Sequence, residues 1–505
     1  MSASARWCAM AVICIGAMMS FVNVSATIGA LTDIQRDLHA SSAEVVWVSS
    51  AYSLVIAGGI LTAGTLSDLF GRRRIFITGA SLFLVGSIIA SLSSTPLTLI
   101  GAQVVMGLGG AMILPAGLSI VSRLFVDPHQ RTEAVSLWAT SSGLGLVVGP
   151  VGAGLLLAHF GWNTVFMINL ALSVVTVAGA VAFLPESRSV GRRIDPGGII
   201  LATLGMFALV YAIIEGKHLG YASLPILVTF AVAIGLIAAF VVYELRVDDP
   251  MLDMRLFTSA SFSTVMGVAV VTMLAFTGMG FMGVFYLMQG QNFSALRASA
   301  VMLAMFVPFL IVSPLSAQLV RFTGFKRLLS AGLSIMGIGF LLLLLVESDF
   351  TIVAAWPGLV LIGLGAGLLL APSTAAAVLS VDHERQGMAS AAVNMFRQLG
   401  NVLGTSVLGT VLTAGYAQHL ENRLRGDGLN ADSASEVVHD VEQGSQTQNQ
   451  SPHLTQLLDH NVPAAFTDSL HVGVVIAAVV VFLAVIPTAM FIDHRPGPKH
   501  DEVAE

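Results

Sequence analysis

Stretches nearly free of polar side chains recur along this chain, separated by short polar breaks. Apolar runs of about 20 residues or more, the length of one bilayer crossing, lie near residues 7–31, 47–66, 75–93, 97–121, 134–158, 163–184, 197–215, 222–242, 262–288, 298–320, 327–346, 352–379, 388–414 and 470–491. These fourteen runs predict fourteen helices, since backbone N–H and C=O groups in hydrocarbon must find partners within their own segment. An even count puts both termini on one side of the membrane. The one long break, 415–469, is polar and mildly acidic, contains SQTQNQS, and reads as an external, at least partly irregular loop.

Composition makes lipid the necessary solvent. Hydrophobic residues form 55% of the 505 and charged ones only 10%, with a mean hydropathy of +0.86; soluble domains carry about a quarter charged residues. A net charge of −6 without a basic tract gives no footing for a phosphate backbone, so no nucleic-acid partner is expected. The first run follows Arg6 but exceeds the 7–15-residue core of a secretory signal, and reads as a span. Cys8 and Cys14 are six residues apart on that one helix and face different sides, so neither a disulfide nor a metal pair is expected.

Cationic residues orient the spans. With a cytoplasmic N-terminus, seventeen of the 23 Lys and Arg residues fall in cytoplasmic segments. Five (Arg36, Lys217, Arg297, Arg423 and Arg425) fall outside, and Arg397 lies within a span. The bias predicts cytoplasmic termini in a bacterial-type inner membrane.

An internal repeat divides the chain. Gly107-Leu108-Gly109 with Pro115 returns as Gly363-Leu364-Gly365 with Pro372, and Val126-Asp127 with Arg131 and Ala134 returns as Val381-Asp382 with Arg385 and Ala389. Gly145-x-x-x-Gly149 returns as Gly400-x-x-x-Gly404, and all three offsets are close to 255 residues. The expected architecture is an all-α integral membrane protein built as two related six-helix bundles. Residues 1–190 form the first bundle, 191–258 an inserted transmembrane hairpin (spans 7 and 8), and 259–505 the second bundle with its external loop. Transporters are commonly built from such repeats, with the solute path at their junction.

Two segments carry finer signals. Between spans 2 and 3 the chain reads GTLSDLFGRRR, residues 64–74. A positive-inside loop explains the arginines but not Asp68 or the glycine spacing. In span 5, GLVVGPVGAG (residues 145–154) sets small residues at the spacing that lets helices approach closely in lipid, followed by a proline. Together these resemble the major facilitator superfamily, with its loop signature G-x-L-x-D-x-x-G-R-R and its span-5 antiporter signature G-x-x-x-G-P-x-x-G-G. Fourteen spans and IQRDLHASSAE…WVSSAY (residues 34–52) resemble its drug:proton antiporter subfamily of multidrug efflux pumps.

That resemblance implies export of a small organic solute by alternating access, coupled to protons, with no cofactor or metal. It makes Gly64, Asp68, Gly71, Arg72 and Arg73 a cytoplasmic gate motif, and Gly145, Gly149, Pro150 and Gly154 the antiporter motif, with Ala153 where the first of the paired glycines is expected. Asp68 is expected to act as a latch near Gln386–Met388, with Arg72, Arg73 or Glu133 completing a network. Gly149 and Pro150 are expected to set the approach of span 5 to the second bundle. Asn23, Gln103, Asn394 and Arg397 are candidates for the solute or coupling path.

The chain departs from the family where charge is concerned. FVNVS places Asn23 where the family's span 1 usually carries an aspartate, and Gln103 stands where its span 4 usually carries an arginine. The opening of span 6, Gly161 to Asn169, lacks the family's arginine. No Asp or Glu lies inside a span; Asp33, Glu133, Glu215 and Glu347 sit at ends, and all twelve histidines fall in loops, tails or span termini. No acid–base pair or nucleophile is available for a membrane enzyme, and no G-x-x-x-x-G-K-[ST] exists for a nucleotide-driven pump. With no mid-membrane carboxylate to neutralise a cation, the expected solute is neutral or anionic. An uncoupled facilitator or a non-transporting sensor on the same scaffold remains the alternative.

Overall fold

Several helices in this protein begin where a side chain accepts the backbone N–H groups that a first turn leaves orphaned. Ser41 and Glu44 form a reciprocal capping box ahead of the second helix, with Ser41 N–H donating to Glu44 Oε2 at 2.8 Å. Asp127 accepts from Gln130 N at 3.0 Å, Asp195 from Gly198 N at 2.9 Å, and Ser294 from Arg297 N at 3.3 Å.

The computed structural model describes residues 3–125, 127–187, 195–247, 250, 252–349, 351–381, 386–442 and 452–492. Among them there is no strand. The helices are α1 (Ala3–Leu38), α2 (Ser42–Phe70), α3 (Arg72–Ser91), α4 (Pro96–Leu124), α5 (Pro128–Leu157), α6 (Val165–Phe183), α7 (Pro196–Leu219), α8 (Leu224–Glu244), α9 (Ala260–Phe285), α10 (Ala295–Leu342), α11 (Ile352–Leu379), α12 (Gln386–Leu403), α13 (Gly409–Gly426), α14 (Ala431–Glu442) and α15 (Pro452–Phe491). Two π-helical turns, Tyr286–Gly290 and Gly404–Leu408, continue α9 and join α12 to α13. Among the described residues, twelve helices are long and apolar enough to cross a membrane.

The runs 298–320 and 327–346 are the two helices of α10 (Ala295–Leu342), parted by a kink at Gly324, whose φ of 74° and ψ of 163° are not helical. One expectation changes. The segment 415–469 is largely helical where it is described: α13 continues to Gly426, α14 follows, and α15 begins at Pro452, while 443–451 lie outside the described residues. Its polar composition concealed an amphipathic pattern. Ala434, Val437 and Val438 are buried along one face of α14, and such packing stabilises helices too short to stand alone.

Helices α1–α6 pack as one group and α9–α13 with α15 as another, while α7 and α8 pair beside α2 and α13. The groups meet along α5 against α10 and α2 against α12. Helix α8 buries only Ile226, Ala233, Phe240 and Glu244, three of them seven residues apart. That single stripe faces α7, and the remaining apolar surface faces outward as lipid requires.

The repeated glycines occupy matching places. A Cβ on Gly109 would lie 2.5 Å from the Gly79 carbonyl oxygen of α3, and one on Gly365 would lie 2.6 Å from the Gly332 carbonyl oxygen in the second half of α10. Gly145 and Gly149 press on α1 at Met18, Val22 and Ser25; Gly400 and Gly404 press on α9 at Val270 and Leu274. Both groups thus close on the same backbone contacts. Gly109→Ala and Gly365→Ala should each lower stability by about 1–3 kcal/mol through overpacking, read as a drop in the melting temperature of the purified protein. Gly101→Ala, which meets nothing within 4 Å inside α4, should not lower that temperature and should raise it slightly through helix propensity.

Candidate functional site

Near the middle of α1, Asn23 is buried and its amide is bonded on both sides. Its Nδ2 donates to Gln103 Oε1 of α4 at 2.9 Å, and its Oδ1 accepts from Asn169 Nδ2 of α6 at 2.8 Å. Gln103 Nε2 donates onward to Thr27 Oγ1 at 3.1 Å. Asn23, Gln103 and Asn169 are each 1% exposed, so this network is sealed in the present arrangement. Asn169 Oδ1 is buried with no hydrogen-bond partner among the described residues. Amides supply donors and acceptors but no titrating proton, and the network therefore carries no charge.

The structure brings Asn23 and Gln103 together but leaves Asn394 and Arg397 apart from them. Asn394 Nδ2 bonds back to Ser390 O of its own helix at 3.1 Å. Arg397 donates through Nη2 to Leu370 O, to Ser373 Oγ at 2.9 Å and to Thr374 Oγ1 at 2.8 Å, all on α11. Its guanidinium ties α12 to α11 within the second group. One turn on, Asn401 Nδ2 donates to Gln398 Oε1 at 2.8 Å and its Oδ1 accepts from Thr277 Oγ1 at 2.7 Å. This amide pair is the second group's own polar cluster.

The gate motif is held by groups of the first half. Gly71 stands at φ 110°, a conformation that glycine adopts without strain, and it starts α3 immediately after α2. Asp68 Oδ1 pairs with Arg72 Nη2 at 2.6 Å, and Gly64 faces Pro115 of α4. Arg73 donates through Nη2 to Val181 O at 2.6 Å. Glu186, just past α6, accepts from Arg73 N at 3.3 Å and lies 3.7 Å from Arg74 Nε. Its carboxylate sits at the positive N-terminal end of α3. Nothing in the sequence reading singled out Glu186; its only signal is an acidic residue in a polar break beside a basic one. The side chains of Glu133 and Gln386, expected near Asp68, lie outside the described residues.

The antiporter motif divides its contacts. Gly145 and Gly149 face α1, not the second group, and Ser25 Oγ donates to Gly145 O at 3.1 Å across that contact. Glycine at these positions lets α5 touch the α1 backbone, so the expected approach to the second group falls to Gly154, whose Cβ would lie 2.8 Å from Leu296 Cα of α10. Pro150 is buried inside α5, which runs unbroken through it.

Among the described residues, side-chain bonds join the two groups at two places. Ser50 of α2 meets Thr405 Oγ1 at 2.9 Å and Ser406 Oγ at 3.3 Å, and Gln289 Nε2 donates to Gln35 Oε1 at 2.7 Å. Thr405, Ser406 and Gln289 all belong to the two π-helical turns. Both seams lie toward the end of α1 that carries Asp33, away from the Gly64–Arg74 loop. Beside them, Trp47 Nε1 donates to Glu215 Oε1 of α7 at 3.0 Å, with Phe207 and Tyr211 packed against the indole.

A family profile described as Major Facilitator Superfamily matches residues 13–405. The multidrug resistance protein Stp of Mycobacterium tuberculosis is 33% identical over 411 residues, which are 81% of this chain and 76% of that one. The multidrug efflux pump LfrA of Mycolicibacterium smegmatis is 30% identical over 481 residues, 95% of this chain and 94% of its own. The crystal structure of a bacterial homologue of the human lysosomal transporter Spinster, inward-facing and unoccupied, superposes with a TM-score of 0.63 at 14% identity, covering 98% of this chain and 99% of that one. At that identity the likeness concerns the fold alone.

The α1–α5 contact yields a direct test. Gly149→Ala drives a methyl group into Ser25 Oγ and toward Val22 O and Ala26 N. Ser25→Ala removes one of those obstacles, so the double variant should recover part of the stability lost by Gly149→Ala alone. A thermodynamic cycle on the four purified proteins should show a coupling of about 0.5–3 kcal/mol; strict additivity would deny the contact.

Proposed function

This chain belongs to the major facilitator superfamily, and from that premise we propose that it exports an uncharged or anionic drug-like solute by alternating access. It is a membrane transporter and not an enzyme. The named activities of Stp and LfrA, multidrug resistance and multidrug efflux, support drug-like compounds as the solute class.

The observation that carries the solute's charge is the Asn23–Gln103–Asn169 network. A carboxylate in that place would serve either a proton or a cationic solute, because desolvation raises its pKa and a nearby cation lowers it. Three amides offer neither. An organic cation brought beside them stays unpaired, at several kcal/mol in a low-dielectric site. Proton coupling, if it operates, then runs through end-of-span groups such as Asp33 or Glu215, or through the solute's own titration; without such a route the protein is an uncoupled facilitator.

The same reading covers architecture and orientation. The break at Gly324 divides α10 into two crossings, and α12 with its π turn and α13 makes one more, which supports fourteen spans. Spans 1–6 and 9–14 are then the moving bundles, with α7 and α8 as the inserted hairpin. Termini are cytoplasmic, so the Ser50 and Gln35 seams close the external side and the arrangement is inward-facing. The Asp68–Arg72 pair with Glu186 shapes the cytoplasmic end of the first bundle, where Asp68 is the latch toward α12.

Two experiments test this. In intact cells, a membrane-impermeant thiol reagent should label Glu436→Cys and not Arg74→Cys; the reverse pattern would overturn the orientation. For solute charge, efflux of a neutral compound should exceed that of a permanently cationic analogue by at least about tenfold, or 1.4 kcal/mol. Asn23→Asp should gain cation efflux that depends on a pH gradient. Robust, gradient-driven efflux of the permanent cation by the unaltered protein would sink the proposal.

A further inference from the structure

At the external end of the junction between the two groups lies a cavity of about 590 Å³, within the ~300–1,000 Å³ of small-molecule sites. One wall is the end of α1 with the end of α5, another is the α9–α10 junction, and α13, α14 and α15 form the roof. The roof belongs to the second group, and α13 and α15 are braced to each other. Arg423 of α13 pairs with Asp468 of α15 at 2.7 Å, and Asn461 Nδ2 donates to Asp427 Oδ2 at 2.6 Å.

The lining has two poles. On the α1 side Asp33 and Arg36 pair at 2.8 Å, beside the Gln35–Gln289 bond. Thr32 Oγ1, bordering the same space, is buried without a hydrogen-bond partner among the described residues. On the roof side Phe466, stacked on Tyr416 with 3.9 Å between ring centroids, joins Val441 in an apolar surface. Arg36 is met by Asp33 and, outside the cavity lining, by Asp37 at 3.2 Å. Within the lining the Asp33–Arg36 pair is balanced, with guanidinium donors at one edge and carboxylate acceptors at the other.

We propose that this cavity is a second solute site, which holds a neutral, amphipathic, drug-sized aromatic molecule between the central path and the outside. The polar head would lie at Asp33 and Arg36 and the ring against Phe466 and Val441. Because its walls belong to both groups, parting them on this face breaks the Gln35–Gln289 bond in the cavity wall and joins the cavity to the space between the bundles. The inference rests on the export reading given above for its role, but not for the binding itself.

The test uses the full chain with Cys8→Ser and Cys14→Ser, in nanodiscs, where both faces are open to reagent and topology is irrelevant. Single cysteines replace Val441 and Val462, which line the cavity, and Glu436, on the exposed face of α14. The probes are chloramphenicol, a neutral nitroaromatic amide, and tetraphenylphosphonium, a permanent cation. At about three times its Kd, chloramphenicol should slow maleimide labelling of Val441→Cys and Val462→Cys about fourfold by mass action, with Glu436→Cys unaffected. Unchanged rates at both lining positions overturn the site, as does equal slowing at Glu436→Cys. Protection by tetraphenylphosphonium alone overturns the ligand class. If Val441→Cys does not fold, Val462→Cys decides. Chloramphenicol efflux from cells is measured in parallel: protection without efflux supports the cavity and counts against export, whereas efflux without protection overturns the cavity alone.

Discussion

Close approach of backbone to backbone is the constraint on which the rest of this structure depends. In lipid, helices gain nothing by hiding apolar side chains from one another, because the surrounding chains are as apolar as leucine; they hold together by packing area and by polar bonds. Glycine at Gly79, Gly109, Gly332 and Gly365 removes the side chain that would keep the axes apart. At Gly145, Gly149, Gly400 and Gly404 the same absence lets α5 and the α12–α13 segment press on α1 and α9. With the axes this near, a short amide can bridge two helices, and Asn23 reaches Gln103 and Asn169 directly.

Polar bonds inside each group differ in kind from those between groups. Within the first group an amide network and the Asp68–Arg72–Glu186 cluster bind five helices or their ends. Within the second, Arg397 fastens α12 to α11 with three bonds. Among the described residues, the bonds shown between the groups are made by neutral hydroxyls and one amide pair, at π-helical turns. A π turn breaks the regular ladder and is common at functional sites. At about 0.5–1.5 kcal/mol each, such bonds hold the junction less firmly than the charged and many-sided contacts hold each group.

The sequence disclosed what depends on long-range averages. Span existence and the repeat each sum over many residues, and single errors wash out. The features it hid depend on one residue or on distant pairing. Gly324 looks like any other glycine in a polar break, and only its dihedral angles show that the turn between the two apolar runs is made at this one residue. Helix α14 is polar enough to read as irregular, since its buried face holds little beyond Ala434, Val437 and Val438. Asn23 and Gln103 drew notice as departures from a resemblance; that they touch, with Asn169 completing the set, is a fact of helix packing that spacing along the chain does not contain. The span-5 glycines mark a close approach, but Gly145 and Gly149 make it to α1 and not to the second group, because a motif states that a helix comes near without naming which one.

The amide network has an electrical consequence. Moving a unit charge through a membrane potential involves about 2.3 kcal/mol per 100 mV, and any titrating group at the centre of a transporter brings that term into every turn of the cycle. Asn23, Gln103 and Asn169 bring none at any pH. The field therefore does no work on these residues. What voltage-dependence the cycle has is left to the solute and to charges near the ends of the helices.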